Sequence, residues 1–469
     1  MTKTKFAQTI AFLSPGQCIQ FIKFLKSPYF NQRKDILQLS EWLITNRISS
    51  PDVLNKSNAW KLIHPDAPYD DQKFRLILSY AFKQLKKFLA YEAIEDDHQL
   101  LQIKLSESYN QLKLEDHYKK ALADGIKQLE KQPLRDALYL QKKHQFEYKQ
   151  YQYYNKLDRS QSFNLKSVSD SFDHWYIAGK LKFACIIASN NMVIQSDNEV
   201  QFIQFLLAYL EQETSLLDIP AIRVYYYGYL TMTHEDHEQC FQKLWETIQQ
   251  CGHQFEQKEI KDIYIIAINY CTRQMNLGVS KYVHLSFDLY KNGIEKGYLI
   301  ENNQISQYSF SNIVFCGISV KAFDWVNEFI ETYQSYLPPQ SRASIYYLTS
   351  ASLEYHRKNY DKALSLLNKF ETKGALLELK ARNLRLKVYY ETEAFDLLEY
   401  HLNNMIAYLN RKEVSPRLKM PYKQFVQLTN KLMRVKRGDK INLTLLNEQI
   451  SQVKVKPFKS WLIQQYDLL

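Results

Sequence analysis

His234-Glu-Asp-His237 sets two histidines three residues apart with two carboxylates between them. A zinc ion could use such a set of atoms. A metalloprotease helix needs His-Glu-x-x-His instead. The tetrad also falls where one helix should end and another begin, a place where Asp and His commonly cap. Capping is therefore the expected role, and no metal is expected. No Walker loop, dinucleotide glycine fingerprint or nucleophile elbow occurs in the chain. His144 lies on the apolar side of a 134–156 helix, in line with Ala137, Leu140, Tyr148 and Tyr151. With no partner motif, a hydrogen-bonded core histidine is expected there rather than a catalytic base. A second face of that helix repeats Lys142, Lys149 and Lys156 every seven residues, with Gln145, Gln152 and Tyr153 beside them. Lysines beside exposed rings can hold a nucleic-acid single strand. A solvated face is the preferred reading, because no recognised nucleic-acid module accompanies the stripe.

Arg411, Lys412, Arg417, Lys419, Lys423, Lys431, Arg434, Lys436 and Arg437 form the strongest single-sign segment, with Glu413 its only acid. Nucleic acid, an anionic partner or the chain's own acidic middle would each satisfy it. Membrane-surface binding is disfavoured, because no strongly amphipathic helix with exposed bulky residues stands out there. The balance of Lys and Arg over Asp and Glu is +8 for residues 1–160, −7 for 161–330 and +10 for 331–469. A basic–acidic–basic chain attracts an acidic partner at either end, its own middle, or the middle of a second copy.

The elements that position these side chains are helices. Only 11 Gly and 12 Pro occur in 469 residues, against 25 Phe and 35 Tyr. Phosphate loops and sheet turns need more Gly than this, and the rings are expected to pack between helices. The longest apolar runs, such as 263–268, are far below a membrane span of roughly 18 residues. The start of the chain does not read as a signal peptide. The six cysteines are scattered without a C-x-x-C and are expected as buried thiols in a reducing cytoplasm.

Ser14-Pro15-Gly16-Gln17 predicts a capping box and a helix that stops at Ser27-Pro28. Asn31 is expected to cap the next helix, which runs through Trp42 and Leu43. Asp70-Asp71 should begin a long helix with the stripe Phe74, Ile77, Ala81, Leu85 and Phe88. Residues 1–95 therefore read as a small helical N-terminal domain. Residues 96–336 read as diverged helical repeats, with breaks expected at Pro133, Ser169-Asp170, Ser196-Asp197, Pro220 and Gly278. Residues 337–469 read as clearer repeats closed by capping helices, with an apolar C-terminus that docks. Within 344–410 one helix-pair pattern occurs twice: Tyr347, Ala351, Tyr360, Ala363 and Leu367, then Leu386, Tyr390, Phe395, Leu398 and Leu402. Phe395 follows Tyr360 by 35 residues, and Leu398 follows Ala363 by the same step. Such a period marks stacked antiparallel helix pairs that bury their faces against neighbours.

Segment 344–410 resembles the tetratricopeptide repeat in its Ala351, Tyr360 and Ala363. Leu386 and Leu398 depart from the small residues wanted in the next copy. The segments 24–31, 172–185 and 310–314 resemble a family of long, uncharacterised bacterial helical proteins. These resemblances imply an all-α, tetratricopeptide-like helix-pair solenoid in the cytoplasm, without catalytic residues or a cofactor. In such stacks the first helices line a groove. Lys380, Asn383, Lys387 and Glu391 share one face of such a helix, and the lysines with Asn383 resemble groups that hold a peptide's acidic side chain or terminal carboxylate. The matching positions one repeat earlier are Ile345, Leu348 and Ser352, so a clamp built from several repeats is not expected. The expected function is a noncatalytic scaffold for a protein or peptide partner. The rival is a helical-repeat nucleic-acid binder using the basic ends, with Arg417, Lys419, Lys423, Arg434, Lys436 and Arg437 as its patch.

Overall fold

The computed structural model describes residues 1–46, 54–157, 164–194, 198–235, 237–372, 374–411 and 415–469, apart from the side chains of 156, 157, 192–194 and 416–418. The described residues contain 23 α-helices, no strand and one isolated bridge, Glu301 to Gln304. None of these helices is long and apolar enough to cross a membrane. The chain divides into two compact units, one made of 1–132 and 141–171, the other of 133–140 and 172–469.

The first helices are α1 (Lys5–Phe12), α2 (Pro15–Lys26), α3 (Lys34–Thr45), α4 (Lys56–Ile63) and α5 (Asp71–Asp96). Ser14 and Gln17 form the expected capping box at α2, with bonds of 3.0 and 3.1 Å. Asp70 caps α5, accepting from the Lys73 amide at 3.0 Å. All five residues of its expected stripe are buried. Asn31 does not cap α3, whose N-cap is Arg33. Its buried amide instead donates to the carbonyls of Leu25 and Arg33, both at 3.0 Å, and ties down the loop. These helices enclose one core that runs from Phe6 to Phe88.

Next come α6 (His98–Gln111), α7 (Glu115–Lys131), α8 (Ala137–Leu157) and α9 (Leu165–Ile194). Helices α7 and α8 meet at Gly125, where a Cβ would fall 2.5 Å from the Phe146 ring. The break expected at Ser169-Asp170 is absent, because α9 runs through it. Ser171 bonds back to the Val168 carbonyl at 2.9 Å, so the hydroxyl that could have competed with the helix is satisfied within it. The Ser196-Asp197 break lies outside the described residues.

The second unit continues with α10 (Ile203–Gln212), α11 (Pro220–Thr233), α12 (His237–Cys251), α13 (Gln257–Asn276), α14 (Lys281–Glu295), α15 (Gln307–Ser319) and α16 (Phe323–Tyr333). It ends with α17 (Arg342–His356), α18 (Tyr360–Asn368), α19 (Ala375–Glu391), α20 (Phe395–Leu409), α21 (Pro416–Lys436), α22 (Leu443–Ser451) and α23 (Lys456–Tyr466). From α13 to α21 consecutive helices pack together, and α15 also touches α17, α17 touches α19, and α19 touches α21.

One turn recurs. Residues Gly278, Lys321, Lys358, Glu393 and Gly438 all have left-handed φ, between 56° and 101°. Each follows a helix and closes it with the same pair of bonds. At Lys358 these run from its own amide to the Tyr355 carbonyl and from the Asn359 amide to the Glu354 carbonyl, 3.0 and 2.9 Å. This is the Schellman arrangement, which consumes the last free carbonyls of a helix and reverses the chain. It occurs after α13, α15, α17, α19 and α21, and also after α6, at Lys113. Ala363 is fully buried in the core shared by α17, α18 and α19. At the C-terminus Phe458, Trp461 and Leu462 are buried, whereas Leu468 and Leu469 are exposed. Docking therefore stops with α23.

Candidate functional site

Helix α19 carries Lys380, Asn383 and Lys387 along one face, spaced three and four residues apart. Leu379, Ala381, Leu384, Leu386 and Val388 are buried on the other sides and fix the helix. Lys380 is exposed, and Asn383 and Lys387 are half-buried. The Asn383 side-chain oxygen is buried and accepts no hydrogen bond from the described residues.

Lys387 is the unusual member. Its ammonium lies 5.6 Å from the centre of the Trp461 ring. Burial pushes its pKa down to about 8, against a smaller upward pull from the Glu391 charge. That carboxylate does not hydrogen-bond Lys387 because its oxygens are already taken. Glu391 Oε2 accepts from Tyr360 at 2.7 Å and from Lys358 at 2.9 Å. Its Oε1 accepts from Trp461 Nε1 at 2.7 Å and from the Tyr355 hydroxyl. Burial pushes the carboxyl of Glu391 up, but these four donors outweigh it and hold the group below the ordinary glutamate range. Tyr355 is raised by burial and by the Glu391 charge.

His356 ends α17, 35 residues before Glu391 ends α19. Its Nδ1 lies 2.8 Å from the Ser352 carbonyl. Burial lowers its pKa, and Lys387 adds to the lowering. The arrangement is thus one saturated carboxylate and one desolvated cation without an acceptor among the described residues.

Tyr355, Lys358, Tyr360, Glu391 and Trp461 form a cluster that sequence reasoning assembled only in part. Glu391 was visible as a face-mate of Lys387. Trp461 was not, because it lies 70 residues further on and no local period links it to α19.

The other residues singled out in the sequence are placed as follows. Arg434 pairs with Asp439 at 2.6 Å and Lys436 with Glu393 at 3.0 Å. Arg437 bridges Asp396 and Glu399 at 2.6 and 2.7 Å. The acids come from the turn and helix next to α21, not from the acidic middle of the chain. Lys419 and Lys423 are half-buried on α21. The side chain of Arg417 and residues 412–414 lie outside the described set. In the first unit Lys142 pairs with Asp97 at 2.8 Å and Lys149 with Glu107 at 2.9 Å. The Lys142 face is therefore turned to its own neighbours, and the Lys156 side chain lies outside the described set. His144 is half-buried, its Nδ1 3.2 Å from Ser171 Oγ. His234 ends α11 and His237 begins α12, and His237 Nδ1 meets the Tyr270 hydroxyl at 2.6 Å. Asp236 lies outside the described residues. All six cysteines are buried, and none forms a disulfide among the described residues.

Comparison of the chain with family models, with curated proteins and with solved structures returned no match.

Proposed function

We propose that this protein is a noncatalytic scaffold of tetratricopeptide-like helix pairs that holds a peptide segment of a protein partner along α19. The segment presents an acidic side chain or a terminal carboxylate to Lys387 and Lys380. The observation that carries this reading is Lys387, a partly desolvated ammonium held 5.6 Å from the Trp461 ring, with its pKa lowered to about 8 and no acceptor among the described residues. Retaining such a charge costs stability, and a bound carboxylate would offset that cost. The recurring Schellman turns and the contacts between alternate helices support a stacked helix-pair arrangement, whose extended inner surfaces commonly serve binding.

The test is recovery of the native partner by the wild-type chain and by a Lys380→Ala, Lys387→Ala double variant, beside their melting curves. The double variant should lose the partner and keep its fold. Full retention of the partner with an intact fold would exclude this face as a principal contact. A nucleic-acid role for the basic ends has less support, because Arg434, Lys436 and Arg437 are already engaged by acids of the same chain.

A further inference from the structure

We propose that a groove between α2 and α3, in the first unit, docks an acidic amphipathic helix of a partner protein. The face of α2 opposite its core carries Pro15, Ile19, Ile22, Lys23 and Lys26, which with Cys18 and Ile44 of α3 line an open concavity of about 450 Å³. This volume lies within the range of pockets that accept a ligand's apolar groups. Its spacing matches the three- and four-residue steps by which one helix offers ridges to another.

Ile19 is 59% exposed, although a core lies directly behind it. An exposed aliphatic side chain on the wall of an apolar concavity marks an interaction site more than a scattered exposed residue does.

Charge identifies the occupant. The first 34 residues contain Lys3, Lys5, Lys23, Lys26, Arg33 and Lys34 and no Asp or Glu, although Arg33 is paired with Asp35 at 2.5 Å and is not free to meet a partner. Lys23 lines the groove without an acidic partner among the described contacts. Lys26 reaches Glu41 at 3.1 Å, but both side chains are largely exposed, and such pairs contribute little. An incoming carboxylate can replace Glu41 at small cost. The groove therefore selects a helix with aliphatic side chains at i, i+3 or i+4, and i+7 and with Asp or Glu along the flank. Helix-in-groove recognition uses this division: apolar anchors for affinity and charge for orientation.

This inference is independent of the α19 reading. Its test is selection of a random helical-peptide display library on the full-length chain, followed by binding titrations of the enriched peptides. The enriched set should be net acidic with aliphatic residues at helical spacing. Lys23→Glu with Lys26→Glu should weaken binding by about tenfold or more, with a smaller effect at high salt. Ile19→Ser with Ile22→Ser should abolish binding while the melting curve stays close to wild type.

No enrichment, no acidic bias, or unchanged binding by both groove variants would overturn the proposal. Enriched peptides that depend on Lys387 and not on Lys23 would count against it equally. Sedimentation with phosphatidylserine vesicles is the remaining arm. Vesicle binding lost in the Lys23→Glu, Lys26→Glu variant would assign the surface to a membrane and overturn the peptide reading.

Discussion

Lys387 and Glu391 lie one helical turn apart and show opposite responses to burial. Glu391 keeps its charge because four donors meet it, while Lys387 keeps its charge with none. Opposite consequences for stability follow. A lowered lysine pKa means that the unfolded chain holds more protons between about pH 8 and the ordinary lysine value near ~10.4. Stability contributed at this position should therefore rise with pH across that window. Lys387→Met keeps the stem over Trp461 and removes the buried charge. It should raise the melting temperature, with a gain in stability of roughly 0.5–2 kcal/mol as other such corrections give, and abolish partner recovery. A stabilising substitution that destroys binding separates a binding residue from a structural one. A variant that melts lower would show that the charge supports the fold. Glu391 behaves the other way. Its depressed pKa stabilises the fold above the ordinary carboxylate value near ~4.3, and that contribution is lost as pH falls through the depressed folded value. The Trp461 indole N–H resonance should shift as acid removes its acceptor, while Glu391→Gln should give the shifted position at neutral pH and cost roughly 1.5–3 kcal/mol. An indole signal that ignores both changes would break the assignment of the cluster.

At the scale of elements the useful unit is the turn. Lys321, Lys358 and Glu393 hold left-handed backbone without being Gly, which costs a side-chain-bearing residue roughly 1–2 kcal/mol. Lys321 is exposed and forms no described ion pair, so its replacement tests the backbone alone. Lys321→Gly should raise stability by up to about 1 kcal/mol in a denaturant melt, and Lys321→Val should lower it. Ala363 tests the packing of the same units. It is fully buried between α17, α18 and α19, and Ala363→Leu should cost about 1–3 kcal/mol by overpacking. These turns also explain what was legible in the sequence. Gly278 announced its turn, because Gly is the usual residue for such φ. Lys321, Lys358 and Glu393 did not, since nothing in a lysine or glutamate announces a left-handed conformation. The burial of Ala351 and Ala363 was readable from their spacing with Tyr360, whereas the close approach of Gly317 of α15 to Val326 of α16 carried no such signal. The capping box at Ser14 and the stripe on α5 were readable because each is settled within a few residues. The displaced cap at Asn31 and the uninterrupted α9 were not, because a side chain that can cap or break a helix can equally bond a nearby carbonyl, as Asn31 bonds Leu25 and Arg33 and Ser171 bonds Val168. In the candidate site Lys380, Asn383 and Lys387 shared a face by spacing alone, whereas their relation to Trp461 depends on how the chain returns.

At the scale of the whole molecule, charge decides between the two classes of partner. The net charge of +11 invites a nucleic-acid reading, but net charge counts residues and not free charges. Arg434, Lys436 and Arg437 face Asp439, Glu393, Asp396 and Glu399. Reversing their charge would place like charges together and damage the fold before it tested binding. Lys419 and Lys423 have no ion pair among the described contacts, so Lys419→Glu with Lys423→Glu is the informative change. If the basic C-terminal helices bind phosphate backbones, affinity for any sequence must fall steeply as salt rises, because counterions are released on contact. The double reversal should then weaken binding equally across sequences and flatten that salt slope. If the peptide reading holds, the wild-type chain should give no gel shift even at low salt, where the electrostatic contribution is greatest. Partner recovery should also survive nuclease treatment and the Lys419→Glu, Lys423→Glu change, and fail only when Lys380 and Lys387 are replaced. A gel shift at low salt that the double reversal removes would transfer the function from α19 to α21.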